Sequence, residues 1–339
     1  MKRALITGIT GQDGGYLAKL LLGKGYQVFG CYKRSSNLDL SRLRELEIDR
    51  KVELVLFELT EFSNILRVLE KVKPDEVFNL AAQSFVGASF DQPIYTSDSN
   101  ALGVLRLLEA IRTVKPDTRF YQASTSEMFG KVAGKSTCNE ESPMNPRSPY
   151  AVAKLFGHWI TRNYRESYGM FACSGILFNH ESPLRGHEFV TRKITQSVAC
   201  IKHGLQERVA LGNLDSMRDW GYAPEYVEAM WLMLQQPAPD DYVVATGTSH
   251  SVRQFVEAAF RVIDVEIAWE GQGVEEKGRD AKTGAIRVEI NPEFYRPAEV
   301  DYLHGDFAKA TARLGWKPRT TFDELVKVMV VEDLRRTGR

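Results

Sequence analysis

Short apolar runs alternate with helical patterns through the first half of this 339-residue chain. The alternation predicts a parallel sheet, because each crossover between parallel strands needs a connection long enough to hold a helix. The runs are apolar nearly throughout, as burial on both faces of such a sheet requires. The predicted strands are residues 4–7, 26–31, 52–56, 76–80 and 120–123, and the predicted helices are residues 16–22, 63–72, 101–111 and 150–168. We therefore expect an α/β fold of the Rossmann type, with a doubly wound parallel sheet.

The pattern loosens after a sixth predicted strand at residues 171–177. We expect helices at residues 189–203, 306–314 and 322–334, a late strand at 243–247, and a mobile surface loop over the Gly-, Lys- and Glu-rich residues 271–287. Residues 1–180, with about 215–248 returning to the sheet, should form a Rossmann domain that binds the cofactor. A smaller C-terminal substrate-binding domain, about 181–214 and 249–339, should cover the carboxyl edge of the sheet, where ligands bind in such folds.

The composition argues against a nucleic-acid or membrane surface. The 44 basic and 44 acidic residues cancel, and no apolar run reaches the roughly 18 residues that a membrane span needs. Four widely separated cysteines, Cys31, Cys138, Cys173 and Cys200, form no C-x-x-C pair. They indicate a reducing compartment and argue against a zinc site. We therefore expect a cytoplasmic protein without a bound metal.

A glycine-rich segment joins the first predicted strand to the first predicted helix. It has the pattern Gly8-x-x-Gly11-x-x-Gly14. Glycines at such a junction permit a tight turn and close approach of the backbone to a pyrophosphate, and the helix N-terminus supplies free N–H groups. A plain turn is the alternative, but the placement between strand and helix favours a dinucleotide site.

The residues after the second predicted strand bear on which dinucleotide binds. NAD sites commonly carry a carboxylate there to bind the ribose 2′-hydroxyl. This chain has Tyr32-Lys33-Arg34-Ser35-Ser36 instead. Arginine and serine side chains suit a 2′-phosphate, so the sequence favours NADP over NAD, with an exposed basic turn as the alternative.

Tyr150 and Lys154 begin the predicted helix 150–168 and lie one turn apart on one helical face. A phenol has a pKa of about 10, so acting as a base near pH 7 costs about 3 pKa units, or roughly 4 kcal/mol. A positive charge about 4 Å away contributes roughly that amount at an effective dielectric constant near 20. Lys154, helped by an oxidised nicotinamide, can therefore make Tyr150 a base. The alternative is a solvated lysine beside a core tyrosine.

The run Ala123-Ser124-Thr125-Ser126-Glu127 follows the fifth predicted strand. It offers hydroxyls and a carboxylate at the same end of the sheet as Tyr150 and Lys154. Such a set suits proton and hydride transfer beside a nicotinamide. Glu127 would be a second base in addition to Tyr150; a surface carboxylate at a helix start is the alternative.

Seven motifs spread over the chain carry a family resemblance. They are residues 7–14 (TGITGQDG), 79–84 (NLAAQS), 124–127 (STSE), 150–154 (YAVAK), 177–183 (LFNHESP), 218–220 (RDW) and 296–300 (RPAEV). Together they resemble the extended short-chain dehydrogenases/reductases that act on nucleotide sugars, and within these the GDP-mannose 4,6-dehydratase family. The resemblance covers nearly the whole chain.

The resemblance implies an NADP-dependent hydro-lyase with GDP-D-mannose as substrate. It also implies an oligomer, either a homotetramer built as a dimer of dimers or a dimer. In that family's reaction hydride moves from C4 to C6 of the sugar through tightly bound NADP, water is lost, and GDP-4-keto-6-deoxy-D-mannose forms. By resemblance, the catalytic residues are Thr125, Glu127, Tyr150 and Lys154. The cofactor-binding residues implied are Gly8, Ile9, Thr10, Gly11, Gln12, Asp13, Gly14, Arg34, Glu58, Leu59, Leu80, Ala81, Ala82, Gln83, Ser84, Tyr95, Lys154, His180 and Arg185. The substrate-binding residues implied are Ser84, Ser126, Asn179, Val190, Lys193, Arg218, Arg279 and Glu299.

Other interpretations stay open at this point. A reductase or epimerase of the same fold would share the glycine segment and the Tyr–Lys pair, but it gives no reason for Glu127. A redox sensor that binds a dinucleotide could dispense with Tyr150, Lys154 and Glu127 together. Among the pocket residues, Arg218 and Arg279 suit a diphosphate but could be solvated surface groups, and His180 could be structural.

Overall fold

A seven-stranded parallel sheet forms the larger part of the computed structural model, which describes residues 1–131, 137–294 and 302–338. The strand order is β10-β6-β5-β4-β1-β2-β3. The strands of the protein are β1 (Arg3–Thr7), β2 (Gln27–Tyr32), β3 (Glu53–Leu56), β4 (Glu76–Asn79), β5 (Arg119–Thr125), β6 (Ala172–Leu177), β7 (Asn179–Glu181), β8 (Val209–Leu211), β9 (Met217–Tyr222), β10 (Asp241–Val244), β11 (Ser249–Ser251), β12 (Ile267–Glu270), β13 (Lys277–Asp280) and β14 (Ile286–Ile290). The order confirms the predicted doubly wound α/β fold.

Helices cover the sheet and continue into the second half of the chain. They are α1 (Gln12–Gly23), α2 (Ser41–Glu45), α3 (Phe62–Val72), α4 (Ala88–Asp91), α5 (Pro93–Ser97), α6 (Gly103–Val114), α7 (Pro149–Tyr168), α8 (Val190–Lys202), α9 (Ala223–Gln235), α10 (Val252–Arg261), α11 (Ala308–Leu314) and α12 (Phe322–Thr337). A single π-helical turn, Asp98–Leu102, leads into α6. Helix α3 shows why these segments fold as they do. Its residues Ile65, Val68, Leu69 and Val72 are buried at helical spacing, and together they form one apolar stripe.

The strand order shows where a ligand crevice lies at the edge of the large sheet. β1 lies between β2 and β4, and the chain crosses from β3 at one edge to β4 on the other side of β1. Helices that follow β1 and β4 therefore leave the sheet on opposite faces, which opens a crevice at the carboxyl ends of these two strands. The glycine segment follows β1 directly, so it borders this crevice.

Two smaller sheets accompany the second half of the chain. One has the order β11-β9-β7 and the other the order β12-β13-β14-β8. Helices α8, α10 and α12 pack into a separate apolar core, in which Phe255, Val256 and Met329 are fully buried. Because β7 and the start of α8 follow β6 directly, this part of the chain stands next to the carboxyl edge of the large sheet.

The prediction of a mobile loop at residues 271–287 was wrong, since most of that segment is part of an antiparallel hairpin. β13 pairs with both β12 and β14, and β14 in turn pairs with β8. The apolar residues Ile286, Val288 and Ile290 alternate with polar ones, which is the sequence pattern of a strand. The structure agrees with that pattern, since Val288 is fully buried in the second core. The high content of charge reflects exposed positions of this four-stranded sheet.

Helices α9 and α10 were not predicted. α9 buries residues on most of its circumference, including Tyr226, Met230 and Met233, so it lacks the amphipathic period on which prediction relied. α10 carried a readable start signal. Ser251 and Gln254 form a capping box, in which each side chain accepts a hydrogen bond from the other residue's backbone N–H.

Candidate active site

The glycine segment forms a turn in which a side chain at Gly8 or Gly14 would collide with neighbouring backbone atoms. Gly8 has φ of +72°, and a Cβ there would lie 3.0 Å from backbone atoms of Ala81. A Cβ on Gly14 would overlap the carbonyl oxygen of Gly8. Gly11 precedes α1 without a side-chain cap, so the first N–H groups of that helix are available to a ligand. These residues fit the pyrophosphate of a dinucleotide.

A buried ion pair joins the first turn of α1 to β7. The Nε2 atom of His180 lies 2.8 Å from a carboxylate oxygen of Asp13, and its Nδ1 atom lies 2.8 Å from the carbonyl oxygen of Phe178. Both partners are acceptors, so the imidazole donates through both nitrogens and is a cation. Burial lowers the pKa of His180, but the charge of Asp13 and the hydrogen bonds to Asp13 and Phe178 together outweigh burial, so the net shift is upward.

Gln12 holds this pair in place. Its amide nitrogen donates to the second oxygen of Asp13 at 3.0 Å and to the carbonyl oxygen of His180 at 3.1 Å. Its amide oxygen accepts from the hydroxyl of Ser182 at 2.7 Å. The three predicted cofactor residues Gln12, Asp13 and His180 are therefore one network.

Helix α7 presents Tyr150 and Lys154 from its first turns. Ser148 caps the helix, accepting a hydrogen bond from the backbone N–H of Ala151, and Pro149 occupies the first helical position. Tyr150 is 8% exposed and Lys154 is 4% exposed. The ammonium of Lys154 donates to the carbonyl oxygen of Ala123 at 3.0 Å, which anchors it at the end of β5.

Burial governs the charge of this pair. It raises the pKa of Tyr150 to about 12, although a hydrogen bond with Thr125 lowers it. It lowers the pKa of Lys154 to about 8, against the attraction of Asp13. The prediction from the sequence considered only the positive charge of Lys154. It left out the free-energy cost of removing both groups from water. The ionisation of Tyr150 therefore depends on the charge of the ligand that fills the site.

Thr125 and Glu127 stand where β5 ends. Thr125 is the last residue of β5 and Glu127 lies in the short 3₁₀ turn Ser126–Met128 that follows. The backbone N–H of Glu127 donates to the Thr125 hydroxyl at 3.3 Å. This turn brings a carboxylate to the same cavity as the phenol of Tyr150.

A cavity of about 940 Å³ gathers most of the predicted residues. It runs from the carboxyl ends of β5 and β6 to α8 and the segment around Asn213. The predicted site residues that line it are Asp13, Leu80, Ala82, Ser84, Thr125, Ser126, Glu127, Tyr150, Lys154, Asn179, His180, Arg185, Val190, Lys193 and Arg218. The catalytic and most of the substrate-binding predictions thus fall on one surface.

Four of the predicted cofactor residues, Arg34, Glu58, Leu59 and Tyr95, do not line this cavity. Arg34 is exposed after β2, and Tyr95 is 40% exposed, with its hydroxyl 2.9 Å from the ammonium of Lys33. Glu58 and Leu59 follow β3. Arg34, Glu58 and Leu59 follow strands that lie beyond β1 in the strand order, on the side of the crevice opposite to Tyr150, as an extended dinucleotide requires. Tyr95 lies on α5, after β4.

Arg279 does not line the cavity, contrary to its predicted contact with the substrate. It lies on β13, where its guanidinium pairs with Glu270 at 2.6 Å and donates to the carbonyl oxygen of Gly284 at 3.0 Å. The side chain is satisfied within its own hairpin, a segment that was predicted to be a loop. Glu299, another predicted substrate residue, lies outside the described residues.

Aromatic residues complete the cavity wall and were not predicted. Phe85 and Phe189 meet edge to face with ring centroids 6.3 Å apart, and the ammonium of Lys193 lies 3.4 Å from the centroid of Phe294. These residues come from loops or helix ends without periodicity. Only Phe85 had a local signal, because it follows the predicted residue Ser84.

Neither a cluster of metal ligands nor a membrane-spanning helix is found in the described part of the chain. Over residues 1–131, 137–294 and 302–338, no group of three or more histidine, cysteine, aspartate or glutamate side chains is arranged to hold a metal ion. Within those same ranges, no helix combines the length and the apolar character needed to cross a membrane.

Comparisons with known proteins agree with this geometry. Similar solved structures include UDP-glucose 4-epimerase of Thermus thermophilus in complex with NAD, with a TM-score of 0.80, 25% sequence identity and 98% of each chain covered. The Drosophila melanogaster protein named GDP-mannose 4,6 dehydratase is 55% identical over 98% of this chain and 86% of its own length. A Vibrio cholerae GDP-mannose 4,6-dehydratase is 51% identical over 100% of this chain and 95% of its own length.

A family model described as GDP-mannose 4,6 dehydratase matches residues 5–329. The match spans the glycine segment, the catalytic end of the cavity and the second core. The chain belongs to the GDP-mannose 4,6 dehydratase family of nucleotide-sugar dehydratases.

Proposed function

We propose that this protein converts GDP-D-mannose to GDP-4-keto-6-deoxy-D-mannose as a hydro-lyase. One observation carries the proposal: two bases, Tyr150 and Glu127, line the same cavity together with Thr125. Oxidation of a secondary alcohol needs one base. Elimination of water from the neighbouring carbons needs a second, so a cavity with both suits dehydration better than simple oxidation.

The residues divide the work as follows. Tyr150 takes the proton of the sugar 4-hydroxyl, while Thr125 and Ser126 hold that oxygen. The new 4-ketone acidifies the hydrogen on C5, Glu127 removes it, and the 6-hydroxyl leaves as water. A nicotinamide cofactor, when bound, would supply the hydride acceptor for C4 and the hydride donor for C6. Lys154 would contact the cofactor, and its positive charge favours the ionised form of Tyr150.

The substrate's GDP group has cationic and polar partners on the opposite wall. Arg218 is 7% exposed on β9, and Lys193 and Val190 stand on the first turn of α8, with Asn179 at the start of β7. Guanidinium and ammonium groups are the usual partners of a diphosphate. The two proposed domains are 1–180 with about 215–248, and about 181–214 with 249–339. Val190 and Lys193 belong to the second of them, whereas Asn179 and Arg218 belong to the first.

NADP is the proposed cofactor. No carboxylate follows β2 directly, and the exposed Arg34, Ser35 and Ser36 suit a 2′-phosphate. The glycine turn, Asp13 and His180 would bind the pyrophosphate and the nicotinamide side, and Arg34, Glu58, Leu59 and Tyr95 would bind the adenosine.

A cytoplasmic homotetramer completes the proposal. The described cysteines, all four in the chain, are free thiols. Large apolar side chains are exposed on α5 and α7: Ile94 at 85%, Val152 at 54% and Trp159 at 50%. Contact with other copies of the chain would cover them, and light scattering after gel filtration would measure the resulting mass.

Substrate labelled with deuterium at C4 tests the reaction. GDP-mannose carrying that label, with catalytic NADP⁺, should give a 4-keto-6-deoxy product with the deuterium at C6. In Glu127→Gln the rate of dehydration should fall about 100- to 10,000-fold, while the variant should still oxidise C4. Glu141→Gln, an exposed carboxylate outside the cavity, is the control. Loss of the label to solvent, or stoichiometric oxidation without water loss, would instead indicate a reductase or epimerase.

A further inference from the structure

Three buried polar side chains lie side by side on neighbouring strands of the large sheet. They are Thr7 on β1, Asn79 on β4 and Gln122 on β5, and they are 0%, 1% and 1% exposed. Thr7 is the register partner of Asn79, and Asn79 is the register partner of Gln122. Strands buried on both faces are normally apolar, and the proposed reaction uses none of these three side chains. Their presence in the core therefore needs a separate reason.

The three side chains, which we call the polar row, are joined by a continuous series of hydrogen bonds. The hydroxyl of Thr7 donates to the amide oxygen of Asn79 at 2.8 Å, and the amide nitrogen of Asn79 donates to the amide oxygen of Gln122 at 2.8 Å. The amide nitrogen of Gln122 then donates to the backbone carbonyl oxygen of Ala123 at 2.9 Å. Because hydrogen bonds in a low-dielectric interior polarise one another, we expect the polar row to act as one rigid unit.

Both ends of the polar row meet residues of the proposed active site. At one end, the hydroxyl oxygen of Thr7 accepts hydrogen bonds from the backbone N–H groups of Leu80 and Ala81, each at 3.0 Å. Both of these residues are predicted to contact the cofactor. At the other end, the carbonyl oxygen of Ala123 also accepts a hydrogen bond from the ammonium of Lys154, at 3.0 Å. The polar row therefore connects the predicted cofactor segment to Lys154.

The carbonyl oxygen of Ala123 determines where the ammonium of Lys154 lies. In the part of the protein that the structure describes, it is the one hydrogen-bond acceptor of that ammonium. An ammonium on a flexible four-carbon stem takes its position from such an anchor. β4 ends at Asn79, the register partner of Gln122, so Ala123 extends past the end of β4. The amide of Gln122 thus supplies this oxygen with a donor that β4 cannot.

We propose that Gln122 is a positioning residue for Lys154. By donating to the carbonyl oxygen of Ala123, it fixes the acceptor that holds the Lys154 ammonium, whose nitrogen lies 5.9 Å from the ring centroid of Tyr150. Coulomb attraction falls with distance, so an ammonium displaced from this anchor favours the ionised form of Tyr150 less. Gln122 does not line the active-site cavity. It therefore acts through Lys154 and not on the ligand.

An amide suits this position because it both accepts and donates. The oxygen of Gln122 receives the N–H of Asn79, and its nitrogen donates to Ala123. Methionine has a similar volume, but it cannot donate and accepts only weakly. Gln122→Met therefore frees the carbonyl group of Ala123, and it also leaves the buried amide of Asn79 unpaired, which costs stability. The measurements have to separate this loss of stability from a displacement of Lys154.

The first measurements are the kinetics and the cofactor affinity of Gln122→Met. We expect kcat to fall about 10-fold or more, toward the roughly 100-fold that a misplacement of about 1 Å can cost. The KM for GDP-mannose should stay within about twofold. The dissociation constant for NADP⁺, measured by calorimetry without substrate, should rise about 3- to 10-fold, because Lys154 would contact the cofactor.

This inference rests on the proposed function, so the unaltered protein must first convert labelled GDP-mannose to labelled product. Failure there would remove the proposed function, and the calorimetric comparison would still decide the role of Gln122. An unchanged NADP⁺ affinity in Gln122→Met, together with an unchanged kcat where turnover is seen, would overturn the positioning role.

The pH dependence of kcat is a measurement that a loss of stability alone does not move. A displaced ammonium raises the pKa of Tyr150 in the complex, so the acidic limb of the profile should move to higher pH by about half a unit or more. The other charged groups with an effect on Tyr150 and Lys154 are Asp13 of α1, Glu127 after β5 and Arg185 after β7. None of them is altered in this variant, so the shift would come from Lys154.

Thr118→Val is the matched control for stability. The hydroxyl of Thr118, which is 1% exposed, donates to the carbonyl oxygen of Pro74 at 2.8 Å, next to the opposite end of β5. This variant also loses one buried hydrogen bond, so its urea unfolding midpoint should fall comparably. Its kcat should stay within about twofold, and the acidic limb of its pH profile should not move. A kinetic loss equal to that of Gln122→Met would mean that both effects are structural.

A double-mutant cycle with Lys154→Met tests whether Gln122 acts through Lys154. In the Lys154→Met background, Gln122→Met should lower kcat by less than about twofold, because residues that act through one another are not additive. Losses that multiply would overturn the proposal. If Gln122→Met does not fold, Gln122→Asn replaces it throughout, since its shorter side chain keeps an amide in the core but cannot reach both Asn79 and Ala123.

Discussion

The catalytic end of the site and the segment after β2 differ in how their side chains are held. Tyr150 and Lys154 are buried and hydrogen-bonded to strand β5. Arg34 and Ser35 are exposed, and the Ser35 hydroxyl donates to the carbonyl oxygen of Asn37 in its own turn, at 3.0 Å. The first region is organised before any ligand arrives, whereas the second region gains its partners from the ligand. Changes in the first should alter rates, and changes in the second should alter cofactor preference.

The largest expected effect is at Tyr150. Tyr150→Phe keeps the ring and its packing but removes the group that takes the 4-hydroxyl proton. We expect a loss on the order of 10,000-fold in product formation, the upper end for a general base, with C4 oxidation lost equally. The measurement is kcat with GDP-mannose, and Tyr168→Phe, 54% exposed on the same helix, is the control. Retained C4 oxidation would show that another group is the base.

The Asp13–His180 pair allows pre-organisation of the site to be tested by measuring the free energy of unfolding. Burial raises the pKa of Asp13, but the charge of His180 and the hydrogen bonds from His180 and Gln12 together outweigh it, so the net shift is downward. Burial lowers the pKa of His180, but the charge of Asp13 and the hydrogen bonds to Asp13 and Phe178 together outweigh it, so the net shift is upward. The raised pKa of His180 adds stability fully below its ordinary value of 6.5, and that stability is lost as pH rises through the folded value. The lowered pKa of Asp13 adds stability above its ordinary value of 3.8, lost as pH falls through the folded value.

We therefore expect His180→Gln to destabilise the fold by about 3 kcal/mol near pH 6, the order of cost for breaking a buried pair. The difference from the unaltered protein should shrink as pH rises through the folded pKa of His180. Urea unfolding across pH measures it, with the exposed His203→Gln as control. A difference that is independent of pH would mean that His180 is neutral in the fold.

A smaller effect is expected at Arg34. Arg34→Ala should weaken NADP⁺ binding about 10-fold, the loss of one charge-assisted contact worth roughly 1.5 kcal/mol, and leave NAD⁺ affinity nearly unchanged. Calorimetric titration of both cofactors provides the measurement, and Arg44→Ala, another exposed arginine nearby, is the control. Equal losses for both cofactors would place Arg34 outside the 2′-phosphate site.

The smallest effect is expected at Arg279. Its guanidinium is engaged by Glu270, at 37% exposure, on a hairpin outside the cavity. Exposed ion pairs contribute about 0.2–1 kcal/mol, so Arg279→Ala should leave KM for GDP-mannose nearly unchanged. Arg218→Ala, inside the cavity, should raise KM by about 10-fold or more. A large increase in KM for Arg279→Ala would mean that the hairpin rearranges to bring Arg279 to the substrate.

Local patterns were enough for the dinucleotide half of the fold. Apolar runs of strand length, helical stripes such as that of α3, and glycines between β1 and α1 depend on neighbours within a few residues. The prediction therefore held for β1 to β6 and α7. It failed for α9, which is buried on most of its surface, and for the hairpin of β12, β13 and β14, whose partner β8 lies far away in the chain.

The sequence by itself determined the fold class and the glycine turn, because each depends on residue type and short spacing, and it predicted the residues that are proposed to carry the chemistry. The tertiary structure alone decided which of them share a cavity. It joined Asp13 to His180 across 167 positions and Ser124 to His158 across 34, and it turned Arg279 toward Glu270. It also decided the charge states, since the pKa values of Tyr150 and Lys154 depend on desolvation, and burial is a property of the packed chain.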